Sequence, residues 1–214
     1  MNGLAKTLRT ILQRTALYSR WERSRQNKEY QDWLTIGQPV PPPHRAKQLS
    51  IIDLAHKHSM NVFIETGTYL GDMVEAMKGI FDQIHSIELS AALYRLALKR
   101  FRGYPGIHLY QGDSGTVLGE ILKELHVPAL FWLDGHYSSG ATSKGPLETP
   151  IEQELKHILN HPLRAKHVIV IDDARLFTGR NDYPTIESVH TAATAAGYNF
   201  FEIESDSIRI LNRC

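Results

Sequence analysis

Five short apolar runs recur along the chain, each separated from the next by one stretch with helical periodicity. Runs of this length are typical of buried strands, and single helices between them predict a parallel sheet with helices on both faces. The predicted strands are VFIE (62–65), IHSIE (84–88), GIHLY (106–110), ALFWLD (129–134) and HVIVID (167–172). The predicted helices lie near residues 47–57, 72–80, 91–102, 116–125, 150–159 and 184–196.

The pattern changes at the end of the chain, where YNFFEIE and SIRIL flank Ser205-Asp206 in the manner of a hairpin. An antiparallel pair therefore follows the five parallel strands. The predicted fold class is α/β, with a mixed, Rossmann-like sheet.

The first 43 residues differ from the rest, and we predict that they form a helical extension and a linker before a domain at 44–214. Residues 4–34 have helical periodicity, with apolar residues such as Leu4 and Leu8 on one face and basic residues around the remainder. The stretch QPVPPPH then predicts a stiff, extended linker. The basic helix is compatible with peripheral contact with an anionic membrane, but its pattern favours packing on the domain or on a second subunit of a homodimer.

Composition excludes several classes of protein. A length of 214 residues suits one domain with a full core, and a formal charge of +1 gives no basic excess that would indicate nucleic acid as the partner. The single cysteine, Cys214, excludes a disulfide framework and a cysteine-based metal site. No run approaches the ~18 apolar residues of a membrane span, and we expect a cytoplasmic location.

Polar residues at the ends of the predicted strands indicate a ligand site, because ligands of open parallel sheets bind at the carboxyl edge. The first strand ends in Glu65, and Gly67 and Gly71 bracket the turn that follows. The spacing E-x-G-x-x-x-G is not the G-x-G-x-x-G that a dinucleotide pyrophosphate requires. A carboxylate at this position instead favours a ligand with a cationic group.

The next two strand ends extend the site. Glu88 offers two oxygens for the two hydroxyls of a ribose, and Asp113, within Gly112-Asp113-Ser114, offers an acceptor for an adenine amine. Together these residues describe a nucleoside with a cationic, zwitterionic tail, which is the description of S-adenosylmethionine. The predicted cofactor-binding residues are Glu65, Thr66, Gly67, Thr68, Tyr69, Gly71, Glu88, Leu89, Gly112, Asp113, Ser114 and Asp134.

This ordered set of residues resembles the class I S-adenosylmethionine-dependent methyltransferases, over roughly residues 45–212. The resemblance implies a seven-stranded sheet in the order 3-2-1-4-5-7-6, whose last two strands are the antiparallel pair. Tyr69 departs from the family pattern, because many members have a glycine there. The sequence therefore does not predict the backbone conformation beside the ligand at Tyr69.

Three aspartates follow the fourth and fifth strands, and we expect them to converge at one edge. Asp134 follows FWL, and Asp172-Asp173 follow VIVI. Adjacent carboxylates repel one another unless a cation lies among them, and oxygen ligands favour Mg²⁺. These three are the predicted metal ligands.

The cluster resembles that of metal-dependent sugar O-methyltransferases, in which an acidic residue two positions after the first metal aspartate can be the general base. Here that position is His136, which can also accept a proton at neutral pH. His136 and Asp134 are the predicted catalytic residues. The resemblance implies methylation of a hydroxyl on a small molecule or glycan.

Two other functions are compatible with the sequence. One is an NAD-dependent oxidoreductase on a similar sheet, against which the absent G-x-G-x-x-G argues. The other is a non-catalytic module that binds a nucleoside or docks on a membrane through the basic N-terminal helix.

Overall fold

A seven-stranded sheet forms the centre of the protein. The computed structural model describes residues 16–134 and 149–213, and it describes side chains from residue 21 onward. The strands are β1 (Val62–Thr66), β2 (Gln83–Glu88), β3 (Ile107–Gln111), β4 (Leu130–Leu133), β5 (Val168–Ile171), β6 (Phe200–Glu204) and β7 (Ser207–Leu211). Their order is β3-β2-β1-β4-β5-β7-β6. The first five strands are parallel, whereas β7 pairs antiparallel with both β5 and β6. The predicted sheet and strand order are confirmed.

Helices connect the parallel strands and cover both faces of the sheet. The described helices are α1 (Ala16–Thr35), α2 (His44–Lys57), α3 (Asp72–Met77), α4 (Ala91–Arg100), α5 (Ser114–Lys123), α6 (Ile151–Leu159) and α7 (Ile186–Ala195), with short 3₁₀ turns at Arg164–Lys166 and Ala174–Leu176. Of these, α3 to α6 connect the parallel strands. The helix predicted near 72–80 ends earlier than expected. The reason is local: Lys78 is extended and Gly79 has φ +80°.

The central strands are apolar on both sides because each face of the sheet has its own core. Every residue of β1, β4 and β5 is buried. Ile64, Phe131 and Ile169 belong to one apolar cluster, and Phe63, Leu130 and Val170 belong to the other. Burial on both faces explains why these strands lack the alternation of a half-exposed sheet. The middle of the sheet is thus a rigid support for its carboxyl edge.

The closing hairpin turns at Ser205-Asp206, as predicted. Both residues have positive φ, 49° and 61°, which is the conformation of the two central residues of a type I′ turn. The carboxylate of Asp206 accepts a hydrogen bond from the backbone N–H of Arg175 at 3.0 Å. The hairpin is thereby joined to the loop that follows β5.

Helix α1, in the described part of the predicted N-terminal extension, packs against helix α2. Trp33 is buried, and its indole N–H donates to the carbonyl oxygen of Pro39 at 2.7 Å. The apolar residues Leu4 and Leu8 lie outside the described residues. No helix in the described ranges is both long and apolar enough to cross a membrane. Membrane contact and homodimerisation through this extension stay predictions.

Candidate active site

The loop after β1 is fastened to β2 and contains two glycines in the left-handed region. Gly67 has φ +89° and Gly71 has φ +78°. The backbone N–H groups of Gly67 and Thr68 both donate to the carbonyl oxygen of Ile87, at 2.9 and 3.1 Å. Glycine adopts positive φ without steric cost, so these two positions set the turn that leads into α3.

Tyr69 also adopts the left-handed conformation, with φ +48°. Its ring is 42% exposed, and its backbone N–H donates to Oε2 of Glu88 at 2.7 Å. A left-handed non-glycine residue costs about 1–2 kcal/mol, and the hydrogen bond to Glu88 offsets part of that cost. Tyr69 therefore keeps the backbone path that a glycine would allow, which answers the question left open by the sequence.

Glu88 organises the end of β2. It is buried, and its Oε1 accepts from the backbone N–H of Ser90 at 2.8 Å while its Oε2 accepts from Tyr69. Burial raises the pKa of Glu88, and the two amide hydrogen bonds oppose the rise. Each oxygen has a second lone pair, so the carboxylate keeps capacity for two further donors.

Glu65 lies at the end of β1 and is almost inaccessible, with 1% of its surface exposed. The hydroxyl of Ser86, on β2, donates to its Oε1 at 2.6 Å. Burial raises the pKa of Glu65 to about 8; the Ser86 hydrogen bond and Arg100 oppose the rise, and Asp134 and Glu88 add to it. An approaching cation would favour the ionised form of this carboxyl.

Arg100, the last residue of α4, has a position in the site that the sequence did not indicate. Its guanidinium donates to the carbonyl oxygen of Leu70 and, at 2.7 Å, to Oδ1 of Asp72. Both partners belong to the glycine turn or to the first residue of α3. Arg100 therefore fixes this turn from outside rather than offering its charge to a ligand.

The end of β3 supplies Asp113, which immediately precedes α5. It occupies the N-cap position, but its side chain makes no capping hydrogen bond. Gly112, before it, has φ +151°, and its N–H donates to the carbonyl oxygen of Glu88 at 3.0 Å. Because capping does not use the Asp113 carboxylate, a simple helix-cap role does not account for this residue. Ser114 is buried as the first residue of α5.

Leu89, the remaining predicted contact at this edge, follows Glu88 and is partly buried. Its carbonyl oxygen accepts from the side-chain amide of Gln111 at 3.1 Å. This hydrogen bond ties the loop after β2 to the end of β3.

Glu154, on α6, is a second residue that sequence reasoning missed. It is 1% exposed, and neither carboxyl oxygen is in hydrogen-bonding geometry with a described residue. Burial raises its pKa to about 7; the nearby Ser114 and Thr66 hydroxyls oppose the rise, and Asp113 and Asp134 add to it. Glu154 therefore interacts electrostatically with Asp113, after β3, and with Asp134, after β4.

The ends of β4 and β5 bring three aspartates together. Oxygen atoms of Asp134, Asp172 and Asp173 lie within 4.8 Å of one another, close enough for one metal ion. The backbone N–H of Asp134 donates to the carbonyl of Thr66 at 3.2 Å, and that of Asp172 to the carbonyl of Leu133 at 3.0 Å. These hydrogen bonds extend the pairing of β4 with β1 and of β5 with β4, so the carboxylates lie at the carboxyl edge of the sheet.

Two basic side chains already contact this cluster. Lys47, on α2, forms an ion pair with Oδ2 of Asp172, and its Nζ is 3.7 Å from Oδ1 of Asp173. Arg175 is 2.9 Å from the same Oδ1 of Asp173. Burial, with the charge of Asp134, raises the pKa of Asp172 to about 7, and Lys47 opposes this. Lys47 is thus a second candidate for the cation that the sequence assigned to Mg²⁺.

A small pocket lies between the aspartate cluster and the loop that follows β5. Asp134 and Asp172 line it together with Glu154, Phe177 and Tyr183. The predicted base, His136, lies outside the described residues. The described part of the edge therefore combines a row of carboxylates with an adjacent small pocket that is both acidic and aromatic.

Comparison with known proteins supports the fold. The chain resembles the SAH-bound methyltransferase PaMTH1 from Podospora anserina, with 15% identity over 87% of each chain and a TM-score of 0.56. It also resembles the O-methyltransferase TomG from Streptomyces achromogenes in complex with SAM, with 16% identity over 87% of this chain and 89% of that chain and a TM-score of 0.53.

A third similar structure is the O-methyltransferase from Bacillus cereus in complex with SAH, with 14% identity over 88% of this chain and 91% of that chain and a TM-score of 0.53. No family model and no curated protein sequence matches the chain. These likenesses establish the class I methyltransferase fold that the sequence predicted.

Proposed function

We propose that this protein is an S-adenosylmethionine-dependent methyltransferase that methylates a hydroxyl group of a small molecule or glycan. The observation that carries the proposal is the row of carboxylates at adjacent strand ends: Glu65 on β1, Glu88 on β2 and Asp113 after β3. Because β1 pairs with β2 and β2 pairs with β3, this row follows the sheet in space as well as in sequence.

Each carboxylate suits one part of the cofactor. Glu88 would accept from the ribose hydroxyls, because its oxygens keep lone pairs beyond those used by Tyr69 and Ser90. Asp113 would accept from the adenine amine, and Glu65 would face the cationic tail. When bound, S-adenosylmethionine supplies an electrophilic methyl group on a sulfonium centre.

One of these residues, Glu65, argues against NAD. A pyrophosphate at the turn after β1 would lie beside Glu65, which would repel it once ionised. Glu88 does not discriminate between the two ligands, because an acidic residue at this position can also accept from the ribose of NAD. Arg100, the basic residue beside this turn, already donates through Nη1 to Leu70 and Asp72. A cationic ligand is electrostatically favoured over a dianionic one at this edge.

The pocket beside Asp134 has a volume of about 10 Å³, about that of one water molecule, so only the reacting hydroxyl of an acceptor would enter it. Phe177 and Tyr183 offer aromatic surface there, and Asp134 offers an oxygen that can hold a hydroxyl near the cofactor. Two of the similar structures, TomG and the Bacillus cereus protein, are O-methyltransferases, which supports oxygen as the methylated atom. We retain His136 as the proposed proton acceptor on the basis of the sequence.

Cofactor affinity is expected to rise with pH because of Glu65. The pKa of this carboxyl is raised to about 8, so near neutral pH a proton must leave before Glu65 can face a cationic ligand. We predict that SAH affinity rises about 50-fold from pH 6 to pH 8, most steeply below pH 7. Calorimetric titrations across this range would measure it.

Glu65→Gln is the matched variant for this effect. It should bind SAH weakly, with little pH dependence over the same range. The sign for stability is opposite: since the folded pKa exceeds the ordinary 4.5, the unliganded protein loses stability as pH rises from about 4.5 to 8. Glu65→Gln should remove that loss, and an unchanged pH slope in the variant would refute the role assigned to Glu65.

Methyl transfer itself is tested with S-adenosylmethionine labelled in the methyl group. With a panel of sugars, phenols and alcohols, we expect label in a hydroxylated acceptor, and a loss of about 100-fold in Asp134→Ala, which would lose the oxygen that positions the acceptor. Asp53→Ala is the control, because Asp53 is an exposed carboxylate paired with Lys57 on α2. Binding without transfer to any acceptor would instead favour the non-catalytic module.

A further inference from the structure

Helix α2 inserts a lysine into the carboxylate cluster. Lys47 precedes Ile51 and Leu54 at the i, i+4, i+7 spacing of one helical face, and those two residues are buried. Only 14% of the Lys47 side chain is exposed, against 66% for Lys57 on the same helix. The position of Lys47 is therefore internal, and its ammonium group is directed at the acidic cluster rather than at solvent.

The oxygen atoms that a metal ion would need are partly occupied by cationic groups. Oδ2 of Asp172 is paired with Lys47. Oδ1 of Asp173 is 2.9 Å from the Arg175 guanidinium and 3.7 Å from the Lys47 ammonium. Arg175 is itself held by Asp206, through an ion pair and a backbone hydrogen bond.

We propose that Lys47 is the resident cation of the Asp134, Asp172 and Asp173 cluster, and that the protein needs no divalent metal there. A divalent ion among the same oxygens would be repelled by the adjacent ammonium group, so it would bind only if Lys47 moved away. The three carboxylates alone have the spacing of a metal site, but the set that includes Lys47 does not fit a resident Mg²⁺. This replaces the magnesium expected from the sequence.

For the proposed methyl transfer, on which this point rests, the kind of acceptor depends on the cation of the cluster. A metal ion that bound two oxygens of the acceptor would require both of them. A lysine-neutralised cluster has no such requirement, so a single hydroxyl suffices for binding beside Asp134. Acceptors with one isolated hydroxyl are therefore expected to react as well as vicinal diols.

Manganese binding, followed by the electron paramagnetic resonance signal of free Mn²⁺, tests the inference without any activity measurement. The unaltered protein should leave the free Mn²⁺ signal unchanged. Lys47→Met removes the ammonium group and keeps the length of the side chain, so it should gain one Mn²⁺ site at least about tenfold tighter than any in the unaltered protein. Adding Asp172→Asn to Lys47→Met should abolish the gained site.

Lys57→Met is the matched control, since Lys57 is on the same helix and pairs with Asp53 at 2.7 Å. It should gain no Mn²⁺ site. Lys47→Gln is a second variant in case the methionine variant does not fold, as judged by circular dichroism. One equivalent of Mn²⁺ bound by the unaltered protein overturns the proposal, as does a Lys47 variant that behaves like Lys57→Met.

A second experiment measures the rate of methyl transfer in the presence of EDTA. EDTA should leave the rate within about twofold of its starting value, since metal-ion catalysis when present contributes far more than that. Loss of transfer in EDTA that Mg²⁺ restores overturns the role of Lys47 but leaves the methyltransferase proposal standing. Absence of transfer under all conditions counts against the methyltransferase proposal, while the Mn²⁺ result still decides the role of Lys47.

Discussion

Replacing Glu88 with alanine is expected to weaken SAH binding about 100-fold, since hydrogen bonds to a charged group contribute about 1.5–3 kcal/mol each. The ribose hydroxyls of the ligand would lose the carboxylate that accepts their hydrogen bonds. The substitution also removes the acceptor for the backbone N–H groups of Tyr69 and Ser90, which leaves the left-handed turn at Tyr69 without its anchor. Both changes lower the affinity for SAH.

Calorimetric titration with SAH measures the effect, with Glu120→Ala as the control. Glu120 is an exposed carboxylate on α5 that pairs with Lys123 at 2.7 Å, so its loss should leave affinity unchanged. Glu88→Gln separates the two contributions, because it keeps one oxygen acceptor. An affinity of Glu88→Ala within twofold of the unaltered protein would show that β2 does not end in a ribose site.

Replacing Gly71 with alanine is expected to destabilise the fold by about 2–5 kcal/mol, the sum of backbone strain and overpacking. Gly71 has φ +78°, and a Cβ atom there would lie 2.7 Å from a ring carbon of Phe101. Phe101 is buried against α3 and its surroundings, so the ring has little room to move. The glycine turn that we propose to face the cofactor would shift as a result.

Gly79→Ala provides a control with nearly the same backbone conformation. Gly79 has φ +80°, but nothing lies within 4 Å of the Cβ position. Urea unfolding should therefore give Gly79→Ala only the strain cost of about 1–2 kcal/mol. Phe101→Leu combined with Gly71→Ala should recover part of the larger loss. Equal effects of the two glycine substitutions would mean that the Phe101 contact is unimportant.

The sheet was predictable from sequence because its signals are local. Each parallel strand is a short apolar run between helical segments, and the Ser205-Asp206 turn separates two such runs. Glu65, Glu88 and Asp113 were recognisable for the same reason, since each lies at or just after the carboxyl end of its strand. Parallel pairing then brings chain positions far apart in sequence to one edge.

The residues that sequence reasoning missed act across long separations. Lys47 pairs with Asp172, which is 125 positions away, and Arg100 donates to Leu70, which is 30 positions away. No motif marks such pairs. One signal was present for Lys47, because it falls on the apolar face of its helix, where a lysine needs a buried partner. Glu154 carried a similar signal beside Ile151 and Leu155.

Tyr69 shows why a departure from a family pattern need not change the backbone. The tyrosine takes φ +48° and donates to Glu88, so the turn keeps a glycine-like path at an energetic cost. Its exposed ring then lies beside the proposed cofactor site. Side-chain identity alone could not predict this conformation, because it depends on the partner at the end of β2.

The most direct measurement of the central claim is the titration of the unaltered protein with S-adenosylmethionine and, separately, with NAD⁺. We predict saturable binding of one S-adenosylmethionine per chain, competition by SAH, and no detectable binding of NAD⁺. Binding of NAD⁺ without S-adenosylmethionine, or of neither ligand, would contradict the assignment of this site to methyl transfer.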